Sequence, residues 1–432
     1  MRRTRRSTTA AAALLVGISV ATAACSTPQS GTGGSDAKTT GAINIGLLNP
    51  YTGPLAAAAK DLDDGWNYYW KQRGNHTVAG HEVAWHTADD ALDPAKGITA
   101  AKSLVSDNHI DMLVGPITTA VGAAVGEEMA RQKVPVMFPV LTDDNVTQRK
   151  PIEGATRIAG VSGSQVTAPL GQWAYQTGYR NVVTVCFDLD FGYEQCGGFV
   201  NSFTDEGGHI VKQLWHALGE QNYAPIVSQV KNLHPDAVFV GNSGSDSVRF
   251  LQAWSDQGLK IPLITGEAMV DQSNLRSMTD SAVGIISVGH YAEGLDAPAT
   301  QEFVKGFSAE YGHMPSYFAA SMYTAADWIV HAIEDAGGNV ADRDAFVKAV
   351  RAVKLTSSPL GGSMQLDQYN NTSMDIYIRK VAKNPDGKLW NTVVKTYPAV
   401  SQFWHYDPQD YLKHPVYTKK YQGNGVWPDP QG

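Results

Sequence analysis

From residue 43 the chain alternates between short runs of β-forming residues and stretches with helical spacing, and it does so in two consecutive rounds. Ile43 to Leu48 is a strand-like run, and Leu55, Ala59, Leu62, Trp66, Tyr69 and Trp70 space out a helix to Arg73. Val83 to Thr87, Met112 to Gly115 and Val134 to Val140 are further strand runs. They are separated by helices over Ala95 to Val105, opened by Asp93-Pro94, and over Thr119 to Gln132. After Ile158 the pattern restarts. Helices over Gln165 to Gly178, Glu194 to Thr204, Tyr223 to Leu233 and Ser247 to Gln257 alternate with strands at Val182 to Phe187, Ile210 to Trp215, Ala237 to Gly241 and Leu263 to Gly266. Such alternation predicts an α/β fold with parallel sheets covered by helices on both faces, and two rounds predict two similar lobes.

The first 25 residues read as an export signal: Arg2, Arg3, Arg5 and Arg6, an apolar run from Ala10 to Ala21, then Ala23-Ala24-Cys25. A cysteine directly after two alanines resembles a bacterial lipobox, although Thr22 stands where leucine is usual. Cys25 is therefore either the lipidated mature N-terminus or discarded with the signal. Residues 26–42, rich in Ser, Thr and Gly, read as a flexible tether. Roughly 390 residues remain, more than one core usually organises. A net charge of −8 excludes a nucleic-acid partner, which requires a dense basic face. Beyond the signal, no apolar run reaches the roughly 18 to 20 residues of a membrane span. Cys186 and Cys196 either pair in an oxidising exterior or stay as buried thiols; two thiols alone make no metal site.

An ordered set of segments resembles the type I periplasmic binding proteins of the leucine/isoleucine/valine class, which serve ABC importers. It comprises Ile43 to Leu55 with Thr52-Gly53-Pro54, Asp89-Asp90 with Asp93-Pro94, Val114-Gly115-Pro116 with Thr118-Thr119, and Pro139 to Thr142. Phe191-Gly192-Tyr193, Tyr311 to Pro315 and the segment from Tyr323 to Trp328 complete it, over about residues 43–398. The resemblance implies two Rossmann-like lobes joined by a multi-strand hinge. Lobe 1 spans 43–159 and 289–365, and lobe 2 spans 160–288 and 366–398. Ile285 to Tyr291 leads back to lobe 1, which receives helices at Glu302 to Tyr311, Tyr317 to Ala336 and Asp344 to Val353. It further implies capture of a branched-chain amino acid or related carboxylate, with small aromatic acids as the alternative, for delivery to permease subunits. A sensory partner without transport is the other role for such a pocket. The partners implied are the solute, the permease and a membrane reached through a lipid anchor; the expected state is a monomer with no cofactor.

Carried over by position, Thr118 and Thr119 begin a helix whose hydroxyls and free N–H groups suit a carboxylate. Leu141 and Thr142 would offer a carbonyl and a hydroxyl, Phe191 a ring, and Ser243 a weaker contact. Glu267 is expected to pair with a ligand ammonium. Ala56 to Ala59 stand where relatives carry an aromatic residue, leaving Tyr51 or nothing for that contact. From Trp390 onward, nine aromatic residues in 43 positions predict an extension, 399–432, packed on the body. Enzyme motifs are missing: there is no phosphate loop and no nucleophile elbow, and His81-Glu82 with His86 misses the zinc-protease spacing.

Overall fold

The computed structural model describes residues 41–421. The signal, Cys25 and nearly all of the tether lie outside them. Strands β1 (Ile43–Asn49), β2 (Thr77–Val78), β3 (His81–Asp89), β4 (Met112–Val114), β5 (Val136–Met137) and β6 (Ala155–Thr156) form one sheet in the order β2-β3-β1-β4-β5-β6. All its pairings are parallel except β2 with β3. Helices α1 (Ala56–Arg73), α2 (Pro94–Asn108) and α3 (Thr119–Arg131) connect the strands. Asp93 caps α2, accepting from the N–H groups of Ala95 and Lys96 just ahead of the expected Pro94 start.

The chain then passes through α4 (Gly163–Gln176) into a second sheet. It contains β7 (Asn181–Phe187), β8 (His209–His216), β9 (Ala237–Gly241), β10 (Leu263–Thr265) and β11 (Ile286–Gly289). The helices α5 (Asp190–Asp205), α6 (Ala224–Leu233), α7 (Ser245–Asp256) and α8 (Gln272–Leu275) fall between them. After α9 (Pro298–Tyr311), α10 (Tyr317–Asp335) and α11 (Arg343–Ala352), the chain adds β12 (Lys354–Leu355), β13 (Met364–Leu366), β14 (Thr372–Lys383) and β15 (Leu389–Val400), then α12 (Pro408–Tyr411). The helix α10 packs on α1, burying Trp66, Trp70 and Trp328 in one core. The two α/β lobes are thus built from discontinuous segments.

Two local departures from the sequence reading have physical causes. The strand expected over Val134 to Val140 is only Val136–Met137, because Pro135 and Pro139 have no N–H to give to a ladder. The long hairpin of β14 and β15 is not among the strands expected from sequence. Its turn closes through the Gly387 N–H donating to the Asn384 carbonyl, with Gly387 at φ 77°. Beyond it, Phe403 and Tyr411 are buried with Tyr369 and Tyr406, and Tyr417 donates to Gln213.

Cys186, ending β7, and Cys196, on α5, are joined in a disulfide across ten residues of sequence. The closed loop carries Phe187, Asp190 and Phe191. Closing a loop of this size restricts the unfolded chain by about 2–3 kcal/mol. Cys196→Ser is therefore expected to lower the melting temperature by several degrees, and dithiothreitol to do the same only in the parent. Identical melting curves for all three samples would mean the bridge contributes nothing.

Candidate functional site

The loops that leave the C-terminal ends of β1, β4, β5, β7 and β9 converge, as expected at the crevice of an open parallel sheet. They enclose a cavity of about 200 Å³. From the first lobe come Leu55, Thr118, Thr119 and Thr142; from the second come Phe187, Phe191 and Ser243; Tyr317 and Phe318 enter from the start of α10. Its lips meet where Gly244 approaches Pro54, so closely that a Cβ there would lie 2.9 Å from the Pro54 carbonyl oxygen.

Each wall has a local origin. Thr118 precedes α3 with extended backbone, and its side chain makes no capping bond. Thr119 is buried, and its hydroxyl has no hydrogen-bond partner among the described residues. Together with the unbonded first N–H groups of α3, that hydroxyl is an unspent donor site facing the cavity. Phe191 lies in the first turn of α5, its ring 6.3 Å from that of Phe187. The turn can sit this low only because residue 192 is glycine: a Cβ there would be 2.1 Å from the Phe187 carbonyl oxygen. Tyr317 and Phe318 stack with centroids 4.0 Å apart, on a helix capped by Ser316. Among the described lining residues there is no lysine, arginine or histidine; Asp190 is the one charged side chain.

Of the candidates from sequence, the structure brings together Thr118, Thr119, Thr142, Phe191 and Ser243. It does not bring Leu141, Tyr51 or Glu267 to the cavity. The Leu141 carbonyl accepts from Arg157 Nε at 2.8 Å, and its side chain packs against α3 near Gly122. Tyr51 turns away to donate to Asp63 at 2.9 Å. Leu55 fills the wall left small by Ala56 to Ala59. Sequence reading missed Phe187, Tyr317 and Phe318; the Pro315-Ser316 helix start was the available signal for the last two.

Glu267 is the largest correction. Its carboxylate is buried and bonded to His290 Nδ1 at 2.7 Å, while His290 Nε2 meets the Ser321 hydroxyl at 2.8 Å. This Ser–His–Glu order has the connectivity of a nucleophile relay. All three residues are buried and none lines the cavity. The chain instead ties the ends of β10 and β11 to α10, beneath the Tyr317 ring, whose centroid is 5.4 Å from that of His290. Glu267→Gln is expected to leave solute affinity within about twofold and to lower the melting temperature by a few degrees, because a charge-assisted bond becomes a neutral one. A tenfold affinity loss by calorimetry with unchanged melting would return Glu267 to the site.

The sequence model of the periplasmic binding protein family matches residues 42–388. The Leu/Ile/Val-binding protein homolog 6 of Brucella melitensis is 28% identical over 367 residues, covering 82% of this chain and 91% of its own. A solute-binding protein of an ABC transporter from Rhodopseudomonas palustris BisB5, solved with 3,4-dihydroxybenzoic acid, superposes with a TM-score of 0.79 at 28% identity, covering 84% of this chain and 98% of that one. A second R. palustris solute-binding protein, solved with benzoate, gives 0.78 at 26% identity over 84% and 98%.

Proposed function

Because the chain belongs to the periplasmic binding protein family, we propose that the solute it captures is a small aromatic acid. It is a solute-binding protein of an ABC transporter, of a family that works outside the cytoplasm, handing small solutes to permease subunits. One observation carries the choice of solute: the cavity is walled by Phe187, Phe191, Tyr317 and Phe318, while the carboxylate that an amino-acid ligand would need at Glu267 is closed against His290. The rings sandwich an aromatic body, and the α3 N-terminus with the Thr119 hydroxyl receives its carboxylate. Thr118, Thr142 and Ser243 complete the polar contacts. The benzoate-type ligands of the R. palustris proteins support this reading.

Capture works by population shift: a solute touching both lobes favours the closed arrangement by its differential affinity for it, and is released unchanged. Lobe 1 then comprises 43–159 and 289–365, and lobe 2 comprises 160–288 and 366–398. The protein acts as a monomer tethered to the outer face of the cytoplasmic membrane through Cys25, a setting that agrees with the Cys186–Cys196 disulfide.

A second reading, a branched-chain amino acid, draws support from Asp190 at the cavity edge as an ammonium partner and from the Brucella relative. A thermal-shift screen separates the two. A ligand at about 100 times its dissociation constant stabilises by about 2.7 kcal/mol. Benzoate and 3,4-dihydroxybenzoate are expected to raise the melting temperature by several degrees, and leucine and isoleucine not at all. Stabilisation by leucine alone overturns the aromatic-acid reading.

A further inference from the structure

A second cavity, of about 320 Å³, adjoins the first and shares Thr119, Ala120 and Asp190 with it as a common wall. Its character is opposite. Glu127, Asp143, Asp190 and Glu194 line it, against the single ammonium of Lys150. The C-terminal tail closes one side through Val416, Tyr417 and Thr418, held down where Tyr417 donates to Gln213 at 2.5 Å. We propose that this acidic annex is a subsite for an alkylammonium or guanidinium group.

Glu194 points to a ligand independently of the charge count. It is 2% exposed; one carboxylate oxygen accepts from the Asp144 N–H at 3.1 Å, and the other has no partner among the described residues. A buried carboxylate oxygen with nothing to accept from is costly to keep, and a cation with several N–H donors relieves that cost. Burial, with the charges of Asp144 and Asp143 beside it, holds the Glu194 carboxyl well above the usual carboxylate range while the annex is empty, and a bound cation, which favours the ionised form, draws it back down. Burial likewise pushes Asp143 up to about 6. The Arg157 guanidinium attracts Glu194 but donates no hydrogen bond to it, its N–H groups being spent on Leu141, Asp143, Thr147 and Asn371.

A metal ion fits less well. Among the described residues the one group of three donors close enough for a metal is Asp61, Asp64 and His313, elsewhere in the fold and already paired with Arg276 and Lys60. The annex carboxylates are spread around a wider space, which suits an organic cation. The adjoining solute cavity has no cationic side chain to balance a carboxylate, so positive charge in the annex also complements the neighbouring site.

Two sources supply this chemistry: a free small amine, or the ammonium end of a solute whose ring fills the first cavity. Calorimetry on the intact chain with benzoate, 1,4-diaminobutane and 4-(aminomethyl)benzoate distinguishes them. The subsite predicts saturable binding of the diamine or an affinity for 4-(aminomethyl)benzoate at least tenfold above that for benzoate. The first result alone identifies a free amine, the second a spanning solute. In either case Glu194→Gln and Asp143→Asn are expected to remove at least tenfold, leaving benzoate binding within about twofold. Glu127→Gln, at an exposed position, provides a milder variant that removes about threefold should the buried changes disturb folding. Absence of both signals in the parent, or signals that none of the three variants weakens, overturns the annex. So does an equal heat from Mg²⁺ that Glu194→Gln abolishes. Failure of benzoate alone to bind strikes the aromatic-acid reading and leaves the annex standing.

Discussion

Replacing Arg157 with methionine is expected to cost about 3–5 kcal/mol of stability, a fall of the order of 5–10 °C in melting temperature. Arg157 is fully buried where the chain leaves the first sheet. Its guanidinium donates to the Leu141 carbonyl at 2.8 Å, the Thr147 hydroxyl at 2.7 Å, the Asp143 carbonyl and the Asn371 side chain. Its own backbone bridges to Asn371, and Asn371 in turn bonds Gln165 at the start of α4. One side chain therefore fastens the loop that carries Thr142 to two of the straps that join the lobes. Methionine matches the length but leaves the two carbonyls unsatisfied and removes the positive charge facing Asp143, Asp144 and Glu194. Arg157→Lys keeps the charge yet lacks the planar fork for four acceptors, so it should fall between the two. A melting temperature within 2 °C of the parent for the methionine variant would show that the straps hold without it.

The order of the main strands and helices was legible because hydrophobic periodicity reports burial of a face, and α/β units bury faces regularly; the short elements β2, β6, β12, β13, α8 and α12 have too few residues to show a period. The ends of β7, α5 and β9 fall within a few residues of their apolar runs. The hairpin of β14 and β15 was also readable in principle, since Asn384-Pro385-Asp386-Gly387 is turn chemistry between β-rich runs. Contacts that depend on two distant side chains meeting were not legible. Nothing in the sequence around Glu267 says that His290, on the next strand's end, will take its carboxylate. The same holds for Arg157: its sequence context, Ala155-Thr156-Arg157-Ile158-Ala159, shows a charge in an apolar run without showing the four acceptors gathered from elsewhere. Resemblance picked out Thr119, Thr142 and Phe191, which line the cavity, together with Tyr51 and Glu267, whose side chains are bonded to Asp63 and His290 instead.

Phe191→Ala is expected to weaken benzoate binding by about 2 kcal/mol or more, some thirtyfold, with little change in melting temperature. The ring is half-buried at the first turn of α5 and lies tilted against Phe187, so its removal opens the wall facing the solute more than it disturbs the core. The part of its apolar surface left exposed on the cavity side finds a partner only when a solute is present, which makes the loss appear in affinity. Leu218, on the same rim but 40% exposed, provides the contrast: Leu218→Ala should change affinity less than threefold. Phe191→Leu discriminates further, because it retains apolar area without an aromatic face. If stacking holds the solute, leucine recovers only part of the loss for benzoate; if area alone matters, it recovers most of it. An alanine variant that binds benzoate as tightly as the parent would remove the second lobe's ring from the site, and with it the account of how closure senses an aromatic guest.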